Sequence, residues 1–319
     1  MEKNPTEGCA SGVCIIEAPC KINLHLRIGE RRPDGFHNLE SIFATLALTD
    51  TLCFECTGQE GESVLLVKNE IPGQTIPAEK NLVLKAVSLF REQTGFSSAL
   101  TIRLDKRIPV GAGLGGGSSD AASTLLALNL LAGQTLSAER LSEMAALLGS
   151  DVPFFLAGGA AFVSGRGERV EPVKPPKGLW VILVKPPFFS DTARAYRILD
   201  EARERGFRAE SFSPKEMLSK EALIRALEGA PEAWPFYNDF LPVFLKESGE
   251  SATAYQTILE NLQKTGALFT GLSGSGSCCF GVYSTEKMAK IAEKELSGGK
   301  NDVILTFFLA QKANAVLEY

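Results

Sequence analysis

Apolar residues follow two kinds of spacing along this chain, and each spacing predicts one type of secondary structure. Alternation of apolar and polar residues predicts β-strands over 22–28 and 99–108. Segments rich in alanine and leucine predict helices over 81–93, 121–131 and 137–148. Shorter patterns predict strands over 13–17, 39–48, 50–56, 160–163, 170–173, 180–185, 268–272, 278–283 and 303–309, and helices over 191–204, 214–227, 240–247, 252–264 and from 285. The predicted fold class is therefore α/β, in the broad sense that includes α+β.

A short stretch rich in proline and glycine, 172–178, separates two parts of this pattern. Such stretches are typical of turns and linkers. The length of 319 residues is sufficient for two ordinary domains. We therefore predict one domain over 1–174 and a second over 175–319.

Composition excludes several classes of function. Hydrophobic residues make up 45% of the chain and charged residues 22%, as in globular proteins. The formal net charge of −5 argues against a nucleic-acid partner, because protein surfaces that bind nucleic acids are basic. Apolar runs stay shorter than the roughly 18 residues of a membrane span, and the polar leader before Gly12 resembles neither a signal nor a transit peptide. We expect a cytoplasmic protein without a membrane partner.

The seven cysteines are odd in number and widely scattered, which predicts reduced thiols and no disulfide framework. Cys53 and Cys56 match the C-x-x-C pattern of zinc ligands. In a strand, however, positions three apart face opposite sides. The sequence contains only two histidines, His25 and His37, and no second C-x-x-C pair, so a zinc site is disfavoured.

Residues 109–122 read Pro-Val-Gly-Ala-Gly-Leu-Gly-Gly-Gly-Ser-Ser-Asp-Ala-Ala, with five glycines among seven residues at 111–117. Glycine adopts positive φ without steric cost, so such a loop can approach a ligand closely. The loop lies between a predicted strand and a predicted helix. Free N–H groups and the macrodipole favour an anion at a helix N-terminus. We interpret this stretch as a phosphate-binding loop.

Two other types of phosphate loop fit less well. A Walker A motif needs a lysine where this chain has Gly117. The dinucleotide pattern G-x-G-x-x-G does match Gly111, Gly113 and Gly116, but it requires a following strand that ends in an acidic residue, and helix 137–148 follows instead. A glycine-rich turn that serves packing only remains an alternative, although packing turns rarely need five glycines.

Three further segments contain candidate site residues. Lys21, Asn23 and His25 share one face of strand 22–28, which is compatible with a site or with a solvent-facing strand. The loop 31–37 contains a Pro-Asp-Gly turn and ends at His37. Such loops often hold ligands, but a single histidine of this kind is more often an exposed surface residue. Asp151 lies between a helix stop and a proline, where a carboxylate is usually only a helix cap.

The chain resembles the GHMP kinases, the superfamily of galactokinase, homoserine kinase, mevalonate kinase and phosphomevalonate kinase. Within it, the chain is most similar to the 4-diphosphocytidyl-2-C-methyl-D-erythritol kinase family. The resemblance extends from about residue 15 to 280. It depends on Ala-Pro-Cys-Lys-Ile-Asn-Leu at 18–24, Arg-Pro-Asp-Gly-Phe-His at 32–37, the loop 109–122, Leu-Gly-Ser-Asp-Val-Pro-Phe-Phe at 148–155 and Leu-Ser-Gly-Ser-Gly at 272–276.

This resemblance implies a two-domain fold with the active site between the domains, and ATP-dependent phosphorylation of the substrate's 2-hydroxyl. It implies that Asp151 is the general base and that Lys21 is the cation that stabilises its ionised form and the transferring group. The second glycine loop, 273–277, is either a tight turn or a loop that faces the first, and we favour the second alternative. The implied nucleotide-binding residues are Pro109, Val110, Gly111, Ala112, Gly113, Leu114, Gly115, Gly116, Gly117, Ser118 and Ser119, with Asn81 and Lys106 near the adenosine and Ser118 on Mg²⁺.

On the substrate side, the resemblance implies that Asn23, Phe36 and His37 hold the cytidine diphosphate part and that Tyr196 stacks on cytosine. No protein partner is implied. Phe36 departs from the family, where tyrosine is more usual, so a phenol hydrogen bond is lost while stacking is kept. The leader and the 201–219 region exceed what the family needs, and Cys20 replaces a small residue.

Two alternative functions remain at this point. A related kinase of homoserine or mevalonate would share the phosphate loop, but the ring and imidazole of the 32–37 loop suit cytosine better. A nucleotide-binding regulator without turnover would not need both Lys21 and Asp151. Phosphorylation assays with several alcohols would separate the three possibilities.

Overall fold

The computed structural model describes residues 12–69, 81–207, 218–247, 249–310 and 315–318. The predicted polar leader lies outside these residues, as does most of the predicted insertion over 201–219. Within the described part, two β-sheets are covered by helices. None of the described helices is long and apolar enough to cross a membrane.

The first sheet has seven strands and is built around the two longest. Its strands are β1 (Gly12–Arg31), β2 (His37–Glu60), β3 (Ser63–Asn69), β4 (Ser98–Lys106), β5 (Ala160–Gly165), β6 (Arg169–Val173) and β11 (Ala315–Glu318). The order is β11-β1-β2-β4-β3, and β5 pairs with both β2 and β6. All pairs are antiparallel except β3 with β4.

Strand β2 changes its neighbour half-way along its length. Its first part, from Leu39 to Ala44, pairs with β5. Its later part, from Thr51 to Cys56, pairs with β4. Strand β1 pairs with β2 along nearly the whole length and shifts register after Pro19. Because β1 carries Lys21 and Asn23 just beyond that shift, the irregularity lies next to the candidate site.

The second sheet is antiparallel and belongs to the later half of the chain. Its strand order is β10-β7-β9-β8. Its strands are β7 (Trp180–Lys185), β8 (Phe269–Leu272), β9 (Cys279–Tyr283) and β10 (Asp302–Phe307). Buried apolar side chains fill β7 and β9, so this sheet is central to its half of the molecule.

Helices cover both sheets. They are α1 (Leu82–Thr94), α2 (Gly116–Leu131), α3 (Ala138–Leu148), α4 (Val152–Ala157), α5 (Thr192–Glu204), α6 (Lys220–Leu227), α7 (Phe240–Lys246), α8 (Glu250–Lys264) and α9 (Glu286–Leu296). Several of them begin at a residue whose side chain caps the helix: Ser137 caps α3, Ser219 caps α6 and Thr285 caps α9, each accepting a backbone N–H.

The two halves share a core. One continuous cluster of buried apolar residues contains Phe54 and Phe154 from the first half and Tyr255 and Leu272 from the second. The last described strand, β11, returns to pair with β1 at the opposite end of the chain. The division of the chain at residue 174 stays a prediction.

Several element predictions need correction. The short runs predicted over 13–17 and 22–28 belong to the single strand β1, because an antiparallel partner extends them. Helix α2 begins at Gly116 and not at residue 121, so the last glycines of the loop form its first turn. Helix α4 and strands β3 and β11 were not predicted. Helix α6 begins at Lys220, and the earlier part of the helix predicted over 214–227 mostly lies outside the described residues.

Candidate active site

The glycine loop takes a backbone shape that only glycine adopts easily. Gly111, Gly113 and Gly115 have φ of 66°, 73° and 72°. Gly115 is the residue that caps α2, and Gly116 is the first residue of that helix. The first N–H groups of a helix have no partner within it. The start of α2 therefore offers backbone donors to an anion.

The second glycine loop packs directly against the first. The Ser273 hydroxyl donates to the Gly113 carbonyl oxygen at 2.8 Å, and the Cys278 N–H donates to the Ala112 carbonyl oxygen at 3.2 Å. A Cβ on Gly113 would overlap the carbonyl oxygen of Ser273. The expectation that the second loop faces the first is therefore confirmed. The contact brings the loop after β8 against the first glycine loop.

Lys21 lies beneath the glycine loop with its ammonium held by three oxygens. Its Nζ is 2.6 Å from Asn23 Oδ1, 3.1 Å from the Gly113 carbonyl oxygen and 3.6 Å from Asp151 Oδ2. Only 4% of the Lys21 side chain is exposed. Burial lowers the pKa of Lys21 below its ordinary value, and Asp151 offsets part of that effect. Strand β1 therefore carries a desolvated cation toward the loop.

Asn23 is fixed in one orientation by its neighbours. Its Nδ2 donates to the Ser41 hydroxyl at 3.0 Å, so its Oδ1 faces Lys21. Asn23, Lys21 and His25 are all buried. The interpretation of this polar face as a solvent-facing strand is therefore wrong: the second half of the molecule covers it.

Asp151 precedes α4 but does not cap it. Its backbone is in the right-handed helical region and its side chain makes no capping hydrogen bond. The carboxylate instead approaches Lys21, with 31% of the side chain exposed. The simple capping interpretation of Asp151 is therefore wrong. The structure brings together the two residues that the resemblance selected, from β1 and from the start of α4.

Two cavities meet at Asp151. A cavity of about 360 Å³ is lined by the loop from Pro109 to Ser118, and also by Lys21, Asn23 and Lys106. A second cavity of about 720 Å³ is lined by Phe36, His37 and Tyr196, among others. Asp151, Tyr196 and Thr192 border both. A carboxylate thus stands between a cavity with anion-binding donors and a cavity with aromatic walls.

Two of the implied nucleotide-binding residues do not border the first cavity. Ser119 is fully buried, and its hydroxyl has no hydrogen-bond partner among the described residues. Asn81 is also buried and caps α1, accepting the Val83 N–H at 2.9 Å, while its neighbour Leu82 lines the cavity. Their assignment to the nucleotide stays a prediction.

Lys106 lies under the first turn of α2, where two carboxylates hold it. Its Nζ donates to Asp50 and, at 2.8 Å, to Asp120. Asp50 also accepts the backbone N–H groups of Arg107 and Ile108. Burial opposes the charge on Lys106, but the two carboxylates together raise its pKa. The cluster connects the end of β4 to α2 and so positions the loop between them.

The second cavity has an aromatic wall on α5. The Tyr196 ring stacks on the His37 ring at 5.0 Å between centroids, with an angle of 22°. His37 is buried, which corrects its interpretation as a surface histidine. Burial raises the pKa of Tyr196 to about 12, with smaller effects of Asp151 and Asp200. Phe36 is 53% exposed, and the Arg166 guanidinium lies 5.1 Å from its ring centroid.

The sequence patterns missed several residues that complete these walls. Thr192 and Ser275 connect α5 to the second glycine loop through their hydroxyls, 3.0 Å apart. Asp200 contacts His37 Nε2 at 2.8 Å. Single hydroxyls and carboxylates carry little local signal, although Asp200 and Tyr196 are spaced i, i+4 on a predicted helix and so share one face.

Known proteins match this chain over nearly all of it. Residues 81–159 match the family model of the GHMP kinases N terminal domain, and 220–299 match that of the GHMP kinases C terminal domain. The 4-diphosphocytidyl-2-C-methyl-D-erythritol kinase of Treponema pallidum is 37% identical over 282 residues, with 88% of this chain and 94% of the relative covered. The chain belongs to the 4-diphosphocytidyl-2-C-methyl-D-erythritol kinase family of GHMP kinases. It is therefore a small-molecule kinase that uses ATP.

Other GHMP kinases agree with this membership. The relative of the same name from Neisseria gonorrhoeae is 36% identical, with 91% of this chain and 92% of the relative covered. A crystal structure of 4-(cytidine 5'-diphospho)-2C-methyl-D-erythritol kinase is 31% identical and superposes with a TM-score of 0.71 over 95% of this chain and 98% of that one. The homoserine kinase of Cytophaga hutchinsonii, 17% identical with a TM-score of 0.65 over 96% of this chain and 98% of its own, shares the fold.

Proposed function

We propose that this kinase transfers the γ-phosphoryl group of ATP to the 2-hydroxyl of 4-diphosphocytidyl-2-C-methyl-D-erythritol, giving the 2-phosphate and ADP in non-mevalonate isoprenoid precursor synthesis. The proposal depends above all on the carboxylate of Asp151, which borders both cavities and lies 3.6 Å from Lys21. The names of the relatives supply the substrate. Cytoplasm is the proposed location, supported by the free thiols of the six described cysteines.

In this proposal, Asp151 accepts the proton of the attacking hydroxyl. A base must lie within hydrogen-bond reach of the proton that it removes, and the junction of the two cavities allows that for an alcohol in the second. The Lys21 ammonium lies beside both the carboxylate and the phosphate loop. It therefore stabilises charge on the transferring phosphoryl group while keeping Asp151 oriented.

The glycine loop holds the triphosphate in the first cavity. Backbone donors at the start of α2 contact its oxygens. Asn81 and Lys106 are proposed to lie toward the adenosine. Ser119 is also proposed to hold the triphosphate, although it does not border the cavity.

Mg²⁺ is proposed as the metal cofactor. Among the described residues, no group of three or more His, Cys, Asp or Glu side chains is arranged to hold a metal ion. This fits an ion held mainly by substrate phosphates and water, as Mg²⁺ usually is. Ser118, which lines the first cavity, would supply a hydroxyl as a ligand of the ion. The ion would offset phosphate charge during transfer.

The second cavity takes the cytidine diphosphate part of the substrate. Tyr196 and Phe36 offer aromatic surface for the base, and base stacking contributes about 1 to 3 kcal/mol. His37 contacts the base and Asn23 orients the substrate near Lys21. Because Phe36 lacks a hydroxyl, it contributes surface and no hydrogen bond.

A coupled ADP-release assay with a panel of alcohols tests the proposal. The panel contains 4-diphosphocytidyl-2-C-methyl-D-erythritol, homoserine and mevalonate, each with ATP and Mg²⁺. We expect turnover with the cytidyl substrate alone and a 2-phosphate product by phosphorus NMR. Turnover of homoserine or mevalonate in its place would reject the proposed substrate, and binding without product would reject the proposed reaction.

A further inference from the structure

Asp200, a residue outside all of the family motifs, makes a direct contact with the histidine of the second cavity. Its Oδ1 is 2.8 Å from His37 Nε2. The His37 side chain is 4% exposed and that of Asp200 is 25% exposed, so this hydrogen bond is largely shielded from water. A shielded hydrogen bond of this kind restricts the orientation of both side chains much more than a solvent-exposed ion pair does.

The contact determines where the imidazole carries its proton. An ionised carboxylate only accepts hydrogen bonds, so Nε2 must be the donor. In the neutral ring, the acceptor lone pair is then at Nδ1. Removal of the carboxylate would leave both tautomers available.

Helix α5 fixes the plane of the same ring. Tyr196 is one helical turn before Asp200, and its ring stacks on the imidazole at 5.0 Å and 22°. One face of α5 therefore supplies both the surface that orients His37 and the acceptor that sets its tautomer. A half-turn of the ring about its Cβ–Cγ bond would break the hydrogen bond, and an intermediate rotation would also break the stack.

We propose that Asp200 is a positioning residue that holds His37 with its proton on Nε2, so that Nδ1 presents an acceptor to the base in the second cavity. This inference rests on the proposed function. An acceptor pairs with the exocyclic amino group of cytosine, whereas uracil has an acceptor oxygen at that position. Asp200 thereby selects cytidine over uridine nucleotides through its effect on His37.

The first test measures the tautomer without any ligand. The chain has only two histidines, so ¹⁵N-histidine NMR of the whole protein yields two rings, and His37→Gln assigns them. We expect the Nε2–H tautomer for His37 in the wild type and a mixture of tautomers in Asp200→Asn. A proton on Nδ1 in the wild type, or an unchanged spectrum in Asp200→Asn, would overturn the inference.

The second test measures base selection by calorimetry with CDP and UDP as probes. We expect the wild type to bind CDP at least about tenfold more tightly, because UDP would place two acceptors together. In Asp200→Asn the ratio should fall to within about threefold. Asp200→Glu, which keeps a carboxylate, should recover part of the preference. An unchanged ratio in Asp200→Asn would overturn the inference.

Glu260→Gln is the matched control. It removes the same charge from α8, where Glu260 pairs with Lys264 one turn along the helix and both side chains are at least half exposed, and Glu260 lines neither cavity. We expect Glu260→Gln to keep the wild-type ratio; a loss as large as in Asp200→Asn would mean that charge alone matters. Failure of the wild type to phosphorylate the cytidyl substrate would reject the proposed function, while the ligand-free tautomer measurement still reports on Asp200 itself.

Discussion

At the scale of single residues, the candidate active site contains a cation that is unfavourable to bury. Lys21 is almost fully desolvated, and burial lowers its pKa. An ammonium in such a place needs oxygen partners, which Asn23, Gly113 and Asp151 provide. The same set orients the Asp151 carboxylate, so stability of the charge and geometry of the site are coupled.

Replacement of Asp151 by asparagine tests the proposed base. The amide keeps the shape of the side chain but cannot accept a proton at neutral pH, so we expect kcat to fall by roughly 10² or more. Calorimetry should show nearly unchanged ATP binding. Asp302→Asn is the control, because its half-exposed carboxylate pairs with Lys185 and lines neither cavity. Normal turnover in Asp151→Asn would contradict the assignment.

His25 predicts a pH dependence of stability. Burial, with a smaller effect of Arg27, lowers its pKa to about 3, whereas an unfolded chain has about 6.5. Between these values the unfolded state binds more protons, so stability falls as the pH falls. Because of His25, we expect the free energy of unfolding to be about 2 kcal/mol lower at about pH 5 than at about pH 8.

Urea unfolding of His25→Gln against the wild type measures this effect. Glutamine does not titrate, so the difference in unfolding free energy between the two proteins should narrow, or change sign, as the pH falls. The substitution also removes the edge-on contact of His25 with the Tyr237 ring, 4.6 Å between centroids. The destabilisation from that lost contact would be the same at every pH. Parallel pH profiles for the two proteins would show that His25 does not titrate differently on folding.

At the scale of elements, the site depends on two glycine loops that touch through their backbones. Gly113 has φ of 73°, and a Cβ there would overlap the Ser273 carbonyl oxygen. Phe189 also packs closely on Gly111. Glycine is therefore needed at these two positions for two reasons. It permits the backbone conformation, and it leaves room for Ser273 at Gly113 and for Phe189 at Gly111.

Gly113→Ala and Gly133→Ala separate these two roles. Both glycines have positive φ, 73° and 78°, but an alanine methyl group at position 133 would lie in open space, with no neighbouring atom within 4 Å. We expect Gly133→Ala to cost about 1 to 2 kcal/mol from backbone strain alone. Gly113→Ala should cost about 1 to 3 kcal/mol more and weaken ATP binding at least about tenfold. If the two variants had equal free energies of unfolding in urea, the contact between the two glycine loops would not contribute to stability.

At the scale of the whole molecule, the two halves are joined through one core. The buried cluster that contains Phe154 also contains Tyr255 and Leu272. Across the halves, Asp239 accepts the Ile28 N–H at 2.7 Å and Asn238 pairs with Leu26 as an isolated bridge. Separation of the halves would expose this apolar surface to water.

We therefore expect one cooperative unfolding transition. Circular dichroism and tryptophan fluorescence should give the same midpoint, and calorimetric and van't Hoff enthalpies should agree. ATP with Mg²⁺ should raise the midpoint of that single transition, because the ligand binds only the folded state. Two transitions, with only one raised by the nucleotide, would contradict a shared core.

Much of the fold was predictable because it depends on local preferences. Alternation of side chains located most strands, and Ser137 and Gly149 marked the ends of α3 correctly. The strands that were missed, β3 and β11, are stabilised by distant partners, β4 and β1. Short helices such as α4 carry too few residues for a periodic pattern.

By itself the sequence located the first glycine loop, because only glycine readily permits the positive φ that Gly111, Gly113 and Gly115 adopt, and the motifs around it indicated the family. Only the tertiary structure decided which distant groups meet: Lys21 with Asp151, His37 with Asp200, and Thr192 with Ser275. It also decided that the polar face of β1 is buried. Backbone conformation is set largely by neighbours along the chain, whereas burial and side-chain pairing depend on elements that only folding brings together.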